Sequence, residues 1–213
     1  MAITELVFII DRSGSMSGLE KCVIKGFNSM LEQQQKDETL CYINTMLFDD
    51  KREFVHDRDL LRQTPMLTDD IYYVRGCTAL VDAVGEAVNH ISMIHKYIRP
   101  EDVPANTLFV IITDGMENAS RYYTVSKVRG MISERRKRGW QFLFLGIEDA
   151  EEVADDLGIR EDYATGYNCD AQGLEIAYNC ISKAITEVRN GRKITAEWKA
   201  EIEKDFEERG KKE

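Results

Sequence analysis

Three stretches of the chain carry oxygen-bearing side chains where an apolar run ends or a helical pattern begins. The segments 11–15 and 113–115 each follow a short apolar run, and the segment 76–78 precedes a long helical pattern. In open α/β sheets, ligands bind beyond the carboxyl ends of the strands, where the strand order reverses. The side chains that we expect to meet there are Asp11, Ser13, Ser15, Thr78 and Asp114.

The chemistry of these side chains is that of a hard cation site. If the strands that end at Asp11 and Asp114 are neighbours, they lie about 4.8 Å apart. Two carboxylates 5–7 Å apart repel each other by roughly 2–3 kcal/mol at an effective dielectric constant of 20. Either a cation lies between them or one carboxyl is protonated. Hydroxyl oxygens with few formal charges suit Mg²⁺ better than Ca²⁺, whereas zinc or copper favours His or Cys ligands.

Short β-branched and aromatic runs alternate with longer segments in which apolar residues recur at helical spacing. The predicted strands are Glu5–Ile10, Leu40–Phe48, Glu53–His56, Leu108–Thr113, Gln141–Ile147 and Asp162–Tyr167. The predicted helices cover residues 19–35, 80–94, 125–132, 150–157 and 174–188. In the third of these, we expect the apolar positions Val125, Val128, Met131 and Ile132 to face the core.

The alternation of strands and helices predicts an α/β fold with a doubly wound, mostly parallel sheet and helices on both faces. The run 53–56 follows its predecessor too closely for a crossover, so we expect it to be an antiparallel edge strand. We assign residues 1–190 to this single domain. We also expect the loops 63–76 and 99–106 to flank the site and to shape the surface that a partner contacts.

Residues 191–213 form a separate charged segment with Ile194, Trp198, Ile202 and Phe206 at every fourth position. This spacing predicts an amphipathic helix. The helix could cover its own domain or bind a partner, and the sequence leaves both possibilities open. We expect that deletion of the residues after Gly191 leaves metal binding intact.

The composition excludes several classes of function. The chain has 213 residues, with 28 Lys and Arg against 38 Asp and Glu, and a net charge of −10. This balance argues against nucleic acid as a partner, because phosphate binding needs a basic face. The apolar runs are too short to span a membrane, and the first residues lack the basic region of a secretory signal. The five cysteines are widely separated, and no two of them form a C-x-x-C pair. This spacing predicts buried free thiols and a cytoplasmic location.

Two enzyme hypotheses deserve comparison with a binding site. The first hypothesis is a serine nucleophile, but the sequence lacks the G-x-S-x-G turn that would present it. The three histidines are also predicted to lie away from the carboxyl end of the sheet. A Mg²⁺-dependent phosphohydrolase that uses Asp11 is the better alternative, although position 13, where such enzymes carry a second Asp, is Ser. The basic run 135–138 is typical of a helix end, because cations complement the helix dipole there and Gly139 follows.

Taken together, the three motifs resemble a known site. Asp11-x-Ser13-x-Ser15, Thr78 in Gly-x-Thr-Ala-Leu and Asp114-Gly115 after an apolar strand resemble the metal-ion-dependent adhesion site of von Willebrand factor A (VWA) domains. All five metal-site positions match, and the resemblance covers about residues 3–190. It is strongest with stand-alone bacterial members of the family, such as those encoded near tellurium-resistance operons.

The resemblance implies a six-stranded sheet with one antiparallel edge strand and a non-catalytic, protein-binding role. It implies Mg²⁺ or Mn²⁺ on hydroxyl oxygens of Ser13, Ser15 and Thr78, with Asp11 and Asp114 acting largely through ordered waters. The remaining coordination position would take an Asp or Glu carboxylate from a partner protein.

Overall fold

A six-stranded sheet forms the centre of the computed structural model, which describes residues 2–147 and 149–209. The strands are β1 (Thr4–Asp11), β2 (Cys41–Phe48), β3 (Arg52–Leu60), β4 (Asn106–Ile112), β5 (Gln141–Gly146) and β6 (Ala164–Gly166). Their order is β3-β2-β1-β4-β5-β6, and every neighbouring pair is parallel except β2 with β3. The prediction of a mostly parallel sheet with one antiparallel edge strand is confirmed.

Helices cover both faces of this sheet. They are α1 (Glu20–Gln35), α2 (Leu80–Tyr97), α3 (Val125–Lys137), α4 (Ala150–Asp156), α5 (Ala171–Arg189) and α6 (Ala200–Arg209). Because successive strand side chains point to opposite faces, β1 contributes to two cores. Phe8 belongs to the core cluster that includes residues of α1, α5 and α6, whereas Ile9 belongs to the cluster that includes residues of α2, α3 and α4.

The strand order reverses between β1 and β4, which lie side by side in the middle of the sheet. The chain leaves β1 towards β2 on one side and returns through β4 on the other, so the loops after β1 and β4 diverge. Ile10 pairs in register with Ile112, which places Asp11 and Thr113 next to each other at the carboxyl end. This is the position at which ligands bind in open α/β sheets.

Some sequence-based expectations about local structure were wrong. β3 extends from Arg52 to Leu60 rather than over 53–56, and it contains an irregularity near Arg58, whose φ is +56°. Val125 is 41% exposed, because it lies in the first turn of α3 before the helix reaches the core. The loop 99–106 lies at the amino end of the sheet, where Ala105 N donates to Ile3 O at 2.9 Å. It therefore does not flank the predicted site.

The C-terminal segment packs onto the same domain. A short 3-10 turn, Ala196–Lys199, leads into α6, and Ile194, Trp198 and Ile202 are 5%, 9% and 1% exposed within the main core. The indole Nε1 of Trp198 donates to Asp162 O at 2.9 Å. The segment thus covers the edge of the sheet beside β6, and residues 210–213 of the predicted helix lie outside the described residues.

Two further expectations concern the cysteines and the membrane. All five cysteines are free, but only Cys41 and Cys180 are fully buried, and Cys77 is exposed on the loop before α2. Within residues 2–147 and 149–209, we find no helix that has the length and apolar character needed to cross a bilayer.

Candidate metal centre

Hydroxyl groups from three separate segments meet at the carboxyl end of the sheet. Thr78 Oγ1 donates to Ser13 Oγ at 3.0 Å, and Ser13 Oγ lies 3.0 Å from Ser15 Oγ. Ser15 Oγ in turn donates to Asp114 Oδ1 at 2.6 Å. The structure therefore brings Ser13, Ser15, Thr78 and Asp114 into one hydrogen-bonded cluster, although they come from the β1–α1 loop, the start of α2 and the end of β4.

Asp11 lies beneath this cluster and holds its loop in place. Its carboxylate accepts Ser13 N at 2.7 Å and Thr113 Oγ1 at 2.6 Å, and its carbonyl oxygen accepts Tyr72 Oη at 2.7 Å. Both carboxylate oxygens are therefore engaged, and the residue is 0% exposed. A phosphohydrolase nucleophile needs a carboxylate oxygen that can reach its substrate, so this geometry disfavours the Asp11 phosphohydrolase.

Thr78 is positioned by the loop that follows β4. Asn118 Oδ1 accepts Thr78 N at 3.0 Å, and Asn118 N donates back to Thr78 O at 3.0 Å. Glu117 Oε2 accepts Val81 N at 2.8 Å in the first turn of α2. A carboxylate in this position satisfies a free amide and complements the positive end of the helix. Glu117 and Asn118 therefore support the site through the backbone of α2.

Three supporting residues were given no role from the sequence: Tyr72, Thr113 and Cys169. A Cβ on Gly115 would lie 2.5 Å from Thr78 Oγ1 and 3.3 Å from Ser15 Oγ, so only glycine lets this loop approach the hydroxyls. The Cys169 thiol donates to Asp114 Oδ2 at 3.7 Å. Burial raises the pKa of Cys169 to about 12, so the group stays a neutral thiol at pH 7. Gly115 belongs to the Asp-Gly pair that the sequence analysis had already singled out.

The electrostatics of the cluster favour a cation. Burial raises the pKa of Asp11, and repulsion from Asp114 raises it further. Burial also raises the pKa of Asp114. The nearest cation in sequence, Arg12, is turned away, and its guanidinium pairs with Asp49 at 3.2 Å and Glu53 at 2.9 Å. Among the described residues, neither Asp11 nor Asp114 forms an ion pair, so their charge is uncompensated by the protein.

The donor set fits a small divalent ion with oxygen ligands. Ligands about 2.1 Å from Mg²⁺ in an octahedron are about 3.0 Å from their neighbours, and Ser13 Oγ lies 3.0 Å from both other hydroxyl oxygens. Over the described ranges, no three His, Cys, Asp or Glu side chains are grouped to hold a metal. The cluster is therefore a hydroxyl site with two carboxylates, which favours Mg²⁺ or Mn²⁺ over zinc or copper.

Asp49, on the same rim, anchors two arginines rather than the cluster. Its carboxylate accepts Lys51 N at 2.6 Å, Arg12 Nε at 3.2 Å and Arg75 Nε at 2.5 Å. Burial opposes ionisation, but the hydrogen bonds from Arg75 and the Lys51 amide, together with the Arg12 charge, hold the pKa of Asp49 below its ordinary value of 3.8.

This depressed pKa predicts an acid limb of stability. Above its ordinary pKa, ionised Asp49 makes its full contribution to the free energy of unfolding. This contribution is lost as the pH falls through the pKa of Asp49 in the folded state. We expect the free energy of unfolding, measured with urea, to fall below about pH 4. Asp49→Asn should lower it by about 3 kcal/mol at neutral pH and flatten the acid limb. The exposed neighbour Asp50 is the control, and an equal effect of Asp50→Asn would contradict the assignment.

Comparisons with known proteins identify the fold. No family model and no curated protein matches the sequence. The vWF domain of the type V pili tip protein Mfa5 from Porphyromonas gingivalis has a TM-score of 0.65 at 11% identity, over 91% of this chain and 98% of that one. The pilus adhesin SpaC from Lactobacillus rhamnosus GG has a TM-score of 0.65 at 12% identity, over 88% and 31%.

A third similar structure is described with a bound metal. Proximal thread matrix protein 1 from the mussel byssus, described with a zinc-occupied MIDAS motif, has a TM-score of 0.56 at 12% identity, over 86% of this chain and 46% of that one. The chain spans 46% of another structure of that protein and 62% of the PilB minor pilin from Streptococcus sanguinis. At these identities, the comparisons show that this chain has the Rossmann-like fold of VWA domains.

Proposed function

We propose that the protein is a non-enzymatic, metal-dependent protein-binding module. Ser13, Ser15 and Thr78 would hold a Mg²⁺ or Mn²⁺ ion through their hydroxyl oxygens, with Asp11 and Asp114 supporting it. Ca²⁺ is a poorer fit, because its longer bonds need wider oxygen spacing. The observation that carries the proposal is the convergence of three hydroxyls, each within 3.0 Å of the next, on one carboxylate.

The charge of the cluster supports a carboxylate ligand from outside. The hydroxyl ligands are neutral, and Asp11 is already engaged by hydrogen bonds from Ser13 N and Thr113 Oγ1. A dication held by these hydroxyls, with Asp11 and Asp114 outside its coordination shell, would have no charged ligand of its own. An Asp or Glu side chain from a partner would supply both charge and an oxygen ligand, which are favourable in a partly buried site.

The similar structures support a role in protein interaction. Their descriptions are those of a pilus adhesin, a minor pilin and a pili tip protein. On this basis we propose that this chain also interacts with another protein. The bacterial stand-alone type and the cytoplasmic location remain predictions from the sequence.

A peptide selection tests this function directly. Peptides displayed on phage would be bound to the immobilised protein with Mg²⁺ and eluted with EDTA. We expect the eluted sequences to share an Asp or Glu, and Asn or Gln at that position should abolish binding. The variant Thr78→Ala, which removes one hydroxyl from the cluster, should select no such peptides. Recovery of metal-independent peptides alone would refute a carboxylate-binding metal centre.

A further inference from the structure

A cavity at the amino end of the sheet, far from the candidate metal centre, is lined by positive charge. It has a volume of about 650 Å³ and lies between the end of α3, the start of β5 and the segment 191–193. The cationic residues that line it are Arg136, Lys137, Arg160, Arg192 and Lys193. Among the described residues, no Asp or Glu lines the cavity. The chain as a whole, by contrast, has a net charge of −10.

The local ion pairs leave much of this charge unneutralised. Arg192 Nε lies 2.9 Å from Glu187, and Arg160 Nη2 lies 3.7 Å from Asp162 in a pair that is more than half exposed. Exposed pairs of this kind are weak. Within the part of the chain that the structure describes, Arg136, Lys137 and Lys193 form no ion pair. The guanidinium of Arg136 donates to Gly158 O at 2.5 Å instead.

The helix dipole explains only part of the cluster. Cations in the last turn of α3 complement the negative end of that helix, which accounts for Arg136 and Lys137. Arg160, Arg192 and Lys193 belong to other segments and converge on the same cavity. Burial lowers the pKa of Arg136, and the charge of Arg160 lowers it further, so the fold holds like charges together at a cost.

We propose that this cavity binds a small molecule with two or more phosphate groups. Its volume is within the range of small-ligand sites, about 300–1,000 Å³. Two phosphate groups carry about −3 to −4 at neutral pH, which suits five cations with two weak internal partners. Arginine binds phosphate oxygens in a bidentate manner.

A small ligand is favoured over a nucleic acid or an acidic protein. A long polyanion would meet the remaining surface of a protein with a net charge of −10 and would be repelled by it. A small anion inside the cavity experiences mainly the local cations, because salt screens charges beyond about 8 Å. The shared chemistry is a diphosphate, either inorganic or carried by a nucleoside.

Isothermal titration calorimetry tests the proposal, with EDTA present so that anions bound through a divalent metal are not counted. Pyrophosphate and ADP should bind more tightly than orthophosphate, and added NaCl should weaken binding progressively. The double variant Lys137→Glu/Lys193→Glu should bind pyrophosphate about 100-fold more weakly, at about tenfold for each contact. Pyrophosphate tighter than ADP indicates an inorganic diphosphate, and the reverse indicates a nucleotide.

A matched control keeps the test specific. Lys21→Glu/Lys204→Glu makes the same change in net charge at exposed lysines outside the cavity and should change the affinity by about twofold at most. Asp11→Ala should retain full pyrophosphate binding, which separates this site from the metal centre. The proposal is overturned by no measurable heat with pyrophosphate or ADP, by equal losses in the two double variants, or by an RNA or acidic peptide that binds more tightly and displaces pyrophosphate.

Discussion

Mg²⁺ or Mn²⁺ at ten times its dissociation constant is expected to raise the melting temperature by roughly 3–6 °C. A ligand at that concentration stabilises the native state by about 1.4 kcal/mol, and a protein of this size gains about 2–4 °C for each kcal/mol. EDTA should abolish the shift, and Ca²⁺ should produce a smaller one. The measurement is a set of thermal melts of the same protein with each ion and with EDTA.

Two substitutions make this prediction specific to the cluster. Asp114→Ala removes the carboxylate that accepts Ser15 Oγ at 2.6 Å and should abolish the shift. Because burial already raises the pKa of Asp114, its ionised form is disfavoured by the fold. The variant should therefore melt in EDTA close to the unmutated protein, which shows that the fold is intact.

The control for this experiment is another acidic residue on the same rim. Asp50 is exposed and lies outside the hydrogen-bonded cluster. Asp50→Ala should keep the full shift with Mg²⁺. Identical melting curves in Mg²⁺, Mn²⁺, Ca²⁺ and EDTA for the unmutated protein would refute a metal centre at this position.

The convergence of the site could be predicted because it follows from topology. Once Leu108–Thr113 is recognised as a buried parallel strand, Asp114 must lie at the carboxyl end of the sheet. The run ending at Asp11 reaches the same end. The rule for open α/β sheets then brings the two motifs together. The same reasoning applies to Thr78, because the helix that leads into a parallel strand runs antiparallel to it and therefore begins at the carboxyl end.

The supporting contacts could not be predicted, because each joins residues far apart in the chain. Thr113 and Asp11 are separated by 102 positions, and Cys169 and Asp114 by 55. No local pattern in either segment indicates which side chain of the other it meets. The hydrogen bonds that Tyr72, Thr113 and Cys169 make at the site could therefore be identified only from the structure.

The edge strand shows a second limit of sequence patterns. Buried and exposed side chains do not alternate regularly along β3, because it is an edge strand whose side chains are mostly half-buried or exposed. Its irregularity places Arg58 N against Asn44 Oδ1 at 2.8 Å, with Asn44 fully buried in β2. The side chain of Asn44 thus accepts a backbone N–H group of β3 that would otherwise lack a partner. This hydrogen bond allows β3 to continue beyond residues 53–56. The sequence pattern therefore predicted only residues 53–56 of a strand that extends over Arg52–Leu60.

The position of the loop 99–106 was predictable in principle. Parallel strands all begin at the amino end of the sheet, so the loop that enters β4 must lie opposite the loop that leaves it. The expectation that it flanks the site ignored this rule. By the same rule the cationic cavity, which is lined in part by Ala105 and Gln141 at the starts of strands, lies away from the candidate metal centre.

Deletion of the residues after Gly191 is expected to destroy cooperative folding, although the sequence led us to expect an intact metal site. The deletion exposes the core that Ile194, Trp198 and Ile202 cover. It also removes Lys199, whose ammonium donates to Ala164 O at 2.9 Å and to Glu161 O at 3.1 Å. Buried carbonyls without partners add to the cost.

A single substitution measures the same contribution in the full chain. Trp198→Ala removes a large buried side chain and its hydrogen bond to Asp162 O. Truncations of this kind cost about 3–5 kcal/mol, which corresponds to a fall in melting temperature of roughly 6–20 °C. Phe206→Ala on the following helix is the control. Because Phe206 is 37% exposed, this variant should lower the melting temperature much less. A truncated protein that melts like the full chain and still responds to Mg²⁺ would show instead that the segment is an appendage, available to a partner.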